Sequence, residues 1–415
     1  MNRHSRVRRA PVYGAIIAGG ITLFGNAVAA VALPWLVLGI TGSAAWTGAA
    51  AAAGMVPLII GAFFGGQMLE RHGARRVAVA ADLVSAGSLI AIALLHENGQ
   101  LGMTALMALI ALGALFDGPG MAASESRYPE LARLARMPLE RVTAMDELAD
   151  GAATIAGPIA AGLSIALVGP ELTLWLTALC SITAAALNAI YLPGRRRAAR
   201  GKVARQGALI GVRFLWSEPP LRALVLTGMA VVSLFSALDA VVMPVFLRDS
   251  GRDAADLGSF LALAGGGAIV SALAYARHGQ RLGPRRILLA SLALETLAFA
   301  LLALQDGDAL MLLSGALAGL GVGPLNPLIS TALLRGTPAA IRGRVLSAFN
   351  ALALVATPLA VLLAGAAIEL AGTRAVMICL AAMFALLALP YLLAPAHEAV
   401  RAARPASPTN RESSR

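Results

Sequence analysis

The sequence predicts an all-α membrane protein, with twelve transmembrane helices in two pseudo-symmetric six-helix bundles. Three observations predict it. First, 415 residues at 58% hydrophobic and 13% charged hold roughly 240 apolar side chains, about what twelve bilayer-spanning helices of ~20 residues need. Soluble domains carry about 25% charged residues, so a mean hydropathy of +0.77 has no water-soluble explanation. Second, Lys and Arg lie in short tracts between long apolar runs, so the net charge of +11 points to a membrane surface and not to nucleic acid. Third, the two halves of the chain repeat a loop sequence and a proline at one spacing.

The first predicted span is Val12 to Ile40. Arg3, Arg6, Arg8 and Arg9 precede it as in a secretory signal, but the apolar run outlasts the roughly 7–15 residues of a cleaved core, so it reads as a retained helix. Hydropathy then places spans at Ala45 to Leu69, Val77 to Leu95, Leu101 to Ala123, Val142 to Val168 and Leu172 to Leu192. Gly194 to Pro220, carrying Arg195, Arg196, Arg197, Arg200, Lys202 and Arg205, is the longest break. The second set is Leu221 to Leu247, Leu257 to Tyr275, Ile287 to Leu304, Ala309 to Leu334, Val345 to Leu370 and Thr373 to Leu393. The expected organisation is a cytoplasmic tail (1–11), a first bundle (12–193), a basic cytoplasmic linker (194–220), a second bundle (221–394) and a disordered cytoplasmic tail (395–415).

Charge asymmetry tests that count, because a wrong number of spans would scramble which loops face the cytoplasm. With both termini inside, 30 of the 33 basic residues fall in cytoplasmic segments, and only Arg248, Arg252 and Arg374 fall outside. Glu97, Glu171, Asp249, Asp253, Asp256, Asp306 and Asp308 lie in or beside outer loops. Trp35, Trp46, Trp175 and Trp216, with Tyr13, Tyr191, Tyr275 and Tyr391, fall at span ends, where amphipathic rings prefer headgroup depth. These signs support a multi-pass membrane protein with both termini cytoplasmic, and a bacterial inner membrane is the expected location.

The repeat is explicit. Gln67 to Arg76 and Arg277 to Arg286 match at Arg71/Arg281, Gly73/Gly283, Arg75/Arg285 and Arg76/Arg286, an offset of 210 that Pro34 and Pro244 share. Two parallel six-helix copies are an architecture of secondary transporters. Cys180 and Cys379 both fall in apolar runs and read as packing residues, giving neither a disulfide framework nor a metal cluster.

Gly66 to Arg76 resembles the signature loop of the major facilitator superfamily: a Gly, an acid and Arg, a second Gly, then a basic pair. Glu70 stands where the family usually has Asp, and Ala74 where it usually has a basic residue. The resemblance implies the corresponding fold and a gating role for Gly66, Glu70, Arg71 and Gly73. Arg75 and Arg76 read either as part of that gate or as topology anchors. Gln280 replaces the acid in the second copy, which therefore reads as structural.

Ala114 to Ala123, containing Phe116-Asp117-Gly118-Pro119, resembles the macrolide-efflux-like and enterobactin-exporter-like branch, as do Arg344-Val345 and Gly321 to Pro327. Asp117 then reads as a gating or proton-linked acid within reach of Arg71, or as a structural cap. Gly157-Pro158 with Gly162 partly resembles a motif associated with exporters; ordinary small-residue packing with a proline kink reads it equally well.

Acids inside a bilayer cost at least about 2.5–3.5 kcal/mol and usually turn inward. Asp239 and Glu295 fall in predicted spans: Asp239 reads as a proton or cation site, and Glu295 as a proton or substrate candidate or a protonated structural residue. Asp82, nearer the surface, reads as a partner of Arg75 or Arg76. Asn26 and Asn326 read as substrate contacts or interhelical hydrogen bonds. No Lys or Arg is predicted at mid-membrane depth, which favours neutral or cationic lipophilic cargo. No hydrolytic grouping, phosphate-binding loop or metal motif appears, so no enzyme activity and no cofactor are expected.

The expected function is proton-coupled efflux of a small lipophilic compound by a monomer, its partners being substrate, protons and lipid. An importer or facilitator on the same fold, and a non-transporting sensor or assembly partner, are the alternatives.

Overall fold

A computed structural model describes residues 9–193, 206–304, 307–338 and 341–393. The first eight residues of the expected N-terminal tail, the expected C-terminal tail and the first part of the expected linker lie outside them. The described residues are helical: α1 (Ala10–Thr41), α2 (Ala44–His72), α3 (Ala74–Glu97), α4 (Met103–Glu125), α5 (Tyr128–Ala135), α6 (Leu139–Tyr191), α7 (Gln206–Ser217), α8 (Pro219–Ala237), α9 (Met243–Asp249), α10 (Ala254–Leu282), α11 (Pro284–Leu304), α12 (Asp308–Val322), α13 (Leu325–Gly336), α14 (Arg342–Ala371) and α15 (Thr373–Leu393). A five-residue π turn, Leu238–Val242, joins α8 to α9 without a break.

Among the described residues, eleven helices are long and apolar enough to cross a membrane. The 53-residue α6 supplies two crossings. At Gly169, φ 83° and ψ 164° reverse the chain, and Pro170 opens the second segment. A residue with a Cβ would be strained there, which is why glycine and then proline mark the turn. Twelve crossings result, and the sequence had placed this break between Val168 and Leu172. Leu167, Leu370 and Leu393 are more than 80% exposed. That exposure suits acyl chains and not water.

Two helices sit where spans were not expected. The short α5 buries Tyr128, Leu131, Ala132 and Ala135 against α1, α3 and α6, and α7 occupies the second part of the expected linker with Leu215 fully buried.

The chain divides into two compact units. One comprises residues 1–201, 236–262 and 357–376; the other comprises 202–235, 263–356 and 377–415. In the first unit α1 packs along α6, α2 along α4, and α3 against both α4 and α6. In the second, α10 meets α12 so closely that a Cβ on Gly267 would stand 2.7 Å from the Ala316 carbonyl oxygen. Phe299 lies between Phe235 and Phe384. Arg285 at the head of α11 donates to the Tyr391 and Leu392 carbonyl oxygens, at 2.8 and 3.2 Å, and so caps the end of α15.

Candidate functional site

Inside the first unit, α1, α3, α4 and α6 enclose a cavity of about 50 Å³, lined in part by Thr22, Asp82, Asp117, Glu125, Tyr128, Asp146 and Asn188. That is room for a few water molecules. No basic side chain lines it.

Asp82 is the centre of this site. Ten residues of α3, among them Ala74, Val77, Ala78, Ala81, Ser85 and Leu89, form its buried stripe at helical spacing, and Asp82 lies within that stripe at 5% exposure. Its Oδ1 accepts from the Thr22 hydroxyl at 3.1 Å, and its Oδ2 accepts from Asn188 Nδ2 at 2.8 Å. These donors come from α1 and α6 and are neutral, so the carboxyl group is held without a counter-ion. Asn188 is itself buried, and its Oδ1 has no hydrogen-bond partner.

Asp117 of α4 lines the same cavity as Asp82. Asp82 and Asp117 each lie eight residues from the end of their helices that carries the Gly73 turn, about 12 Å deep at 1.5 Å per residue. Glu125 and Asp146 line the cavity nearer that end, and Asp146 accepts the Tyr128 hydroxyl proton. Carboxyl groups therefore line the cavity from its surface end down to half-buried Asp117 and buried Asp82. Sequence reading missed Asp82 in this role, along with Thr22, Asn188 and Asp146; it paired Asp82 with Arg75 or Arg76, which are exposed and form no ion pair with it.

The other residues singled out by sequence are dispersed. Gly66 lies within α2, and Glu70 and Arg71 are exposed near its end. Among the described residues, Arg71 forms no ion pair with Asp117. Gly73 turns the chain at φ 83°, and Gly283, its repeat, does so at φ 76°. Asp239 falls in the π turn, which packs on α1 and α2, and its Oδ1 is buried without a hydrogen-bond partner. Such turns recur at functional positions. Glu295 is fully buried on α11 against Gly321. Asn26 is half-buried on α1, and Asn326 is exposed on α13.

The Gly157-Pro158 and Gly162 stretch acts by close approach. A Cβ on Gly157 would overlap the Ala27 methyl, and one on Gly162 would stand 2.8 Å from the Gly258 Cα. Gly48 and Gly365 are matched in the same way, with Gly365 Cα 3.5 Å from a Cβ built on Gly48. These contacts lie at the end of the first unit opposite the Gly73 turn. There the Glu369 carboxylate accepts from the Ser43 hydroxyl and, at 3.1 Å, from the Ala45 N–H. Ser43 also caps α2 by accepting from the Trp46 N–H at 3.2 Å. Arg248 donates to the Leu38 carbonyl oxygen at the end of α1, and Thr373 donates to Asp249 at 3.2 Å. Sequence reading missed this set, because each partner lies some hundred residues or more from the other.

A lipid-exposed, twice-repeated bundle with acids buried between its helices defines a multi-pass membrane transporter. The family model described as "Major Facilitator Superfamily" matches residues 15–275 and 230–413, and the chain belongs to that superfamily. It is 32% identical over 391 residues to the multidrug efflux pump Tap of Mycolicibacterium fortuitum, covering 92% of each chain. It is also 32% identical over 381 residues to multidrug efflux pump Tap of Mycobacterium tuberculosis, covering 90% of each. Among solved structures it resembles the nucleoside transporter NupG (TM-score 0.75, 14% identity, 92% of this chain and 98% of that one). A POT family transporter in complex with 5-aminolevulinic acid gives TM-score 0.66 at 12% identity, over 92% and 95% of the two chains. At these identities the structures speak for the fold alone.

Proposed function

We infer that this transporter is an efflux pump for small lipophilic neutral or cationic compounds, driven by protons returning inward. The Tap relatives, matched over nine-tenths of the chain, support efflux of drugs. The observation that carries proton coupling is the cavity that Asp82 and Asp117 both line, with no basic side chain in it and with Asp82 held by two neutral donors. A buried carboxyl group in a lipid-embedded bundle is costly to keep, and such groups mark proton pathways. A proton bound at Asp82 or Asp117 removes a charge from the interior, and the ladder through Asp146 and Glu125 leads it to the end bearing the Gly73 turn. Asp239 is a second proton-binding group in this reading.

On this reading the end with the Gly73 turn faces the cytoplasm, as do both termini, and the membrane is a bacterial inner membrane. Gly66, Glu70, Arg71 and Gly73 form the gating loop, and transport is alternating access between the two homologous halves by a monomer. One proton entering across 100 mV supplies about 2.3 kcal/mol, enough for a roughly fifty-fold gradient of neutral cargo. No cofactor and no catalytic chemistry enter this cycle.

Vesicles of known orientation test it. Inverted vesicles given a proton gradient should accumulate a lipophilic cationic dye, and adding the dye should discharge the gradient. An uncoupler should stop accumulation. Accumulation only in right-side-out vesicles would make the protein an importer, and transport indifferent to the uncoupler would remove the proton from the cycle.

A further inference from the structure

Apart from the acidic cavity, the first unit carries a groove of about 510 Å³ between the start of α3 and the end of α6. Its upper wall carries His72, Arg75 and Arg76, and its lower wall is apolar, with Val79, Leu83 and Ala189. Leu83 is 52% exposed. From Arg75 to Leu83 the groove descends eight residues of helix, about 12 Å, which is the distance from headgroup level into the acyl region.

The charges at its mouth have no protein partner. Among the described residues, no hydrogen bond or ion pair is formed by the Arg75 or Arg76 side chain. Arg285, which occupies the matching position in the second half, is by contrast spent on the Tyr391 and Leu392 carbonyl oxygens. The duplicated arginine therefore caps a helix in one half and faces an open slot in the other. The first turn of α3, beside the same mouth, has no side-chain cap at Gly73, which leaves its N–H groups available. Two guanidinium groups and a helix start above an apolar slot complement a phosphate attached to a hydrocarbon chain. Acidic side chains are absent from the lining.

We propose that this groove is a binding site for an anionic phospholipid, with the headgroup phosphate between Arg75 and Arg76 and the first acyl chain along Val79, Leu83 and Ala189. The site differs in place and chemistry from the acidic cavity, so its fate is independent of proton coupling.

The test uses the purified full chain in detergent, mixed with equal amounts of phosphatidylglycerol and phosphatidylethanolamine of matched acyl chains, with bound lipid read by native mass spectrometry. Phosphatidylglycerol should be retained in preference, and Arg75→Gln/Arg76→Gln should weaken its binding by about fivefold per charge removed. The charge-matched control Arg133→Gln/Arg141→Gln, on exposed residues away from the groove, should bind as the parent does. Equal retention of the two lipids, equal loss in the control, or displacement by inorganic phosphate would each overturn the proposal. A second measurement needs no variant: a phosphatidylglycerol carrying a photoreactive group on its upper acyl chain should label the peptide containing Val79 to Leu83. Labelling spread evenly over other lipid-facing helices would overturn it as well.

Discussion

At the scale of single residues, Asp82 shows both what a sequence carries and what it withholds. Its place on the buried stripe of α3 was legible, since Ala78, Ala81, Ser85 and Leu89 recur at helical spacing around it. What was not legible is that Thr22 and Asn188, 60 and 106 positions away, supply the two donors. Chain proximity instead favoured Arg75 or Arg76, whose side chains are exposed at the start of the helix. Asp82→Asn removes the titrating group while preserving shape, so it should leave the protein folded and abolish dye-driven proton movement in inverted vesicles; retained coupling would move the proton site elsewhere. Asn188→Leu should act on stability, because it leaves Asp82 Oδ2 buried without a donor. A cost of about 1–3 kcal/mol is expected, measured as a lowered unfolding transition in detergent.

At the scale of elements, the twelve spans were legible because lipid imposes one requirement on all of them: about 20 apolar residues each. The elements that escaped are those governed by other forces. Helix α5 is short and half polar, and it folds because Tyr128 and Leu131 find a pocket among α1, α3 and α6. The π turn at Leu238–Val242 inserts one residue into a helix without any local break in hydropathy, so only packing on α1 and α2 reveals it. Crossing geometry yields a prediction of its own. A Cβ on Gly61 would overlap the Leu115 carbonyl oxygen, and one on Gly118 would stand 2.7 Å from the Ala62 nitrogen. Gly61→Ala should therefore destabilise the α2–α4 contact by about 1–3 kcal/mol. Gly87→Ala, which meets nothing within 4 Å, should be neutral or slightly stabilising. Thermal unfolding of the two variants side by side checks the contrast.

At the scale of the whole molecule, the repeat in the sequence announced the twofold pattern. The pairs Gly73 with Gly283 and Gly169 with Gly372 show it as turns of the same left-handed backbone. Less legible was the first unit's recruitment of residues 236–262 and 357–376, since nothing in hydropathy ties α14 to α2. The tie is physical: Glu369 on Ser43 and Ala45, Arg248 on the end of α1, and glycine against glycine. In a background lacking Cys180 and Cys379, bridging Ser43→Cys to Glu369→Cys with a short bifunctional thiol reagent should arrest transport, and reduction should restore it. Undiminished flux in the bridged protein would show that this end never separates.

The glycine seams carry one more consequence. Where backbone lies on backbone, as between Gly162 and Gly258, parting two helices frees almost no side-chain rotamers and uncovers little hydrocarbon. The barrier to separation then falls on a handful of polar latches, chiefly those of Glu369 and Arg248. A few substitutions at these latches would reset how long the pump dwells in each state while leaving cargo recognition untouched.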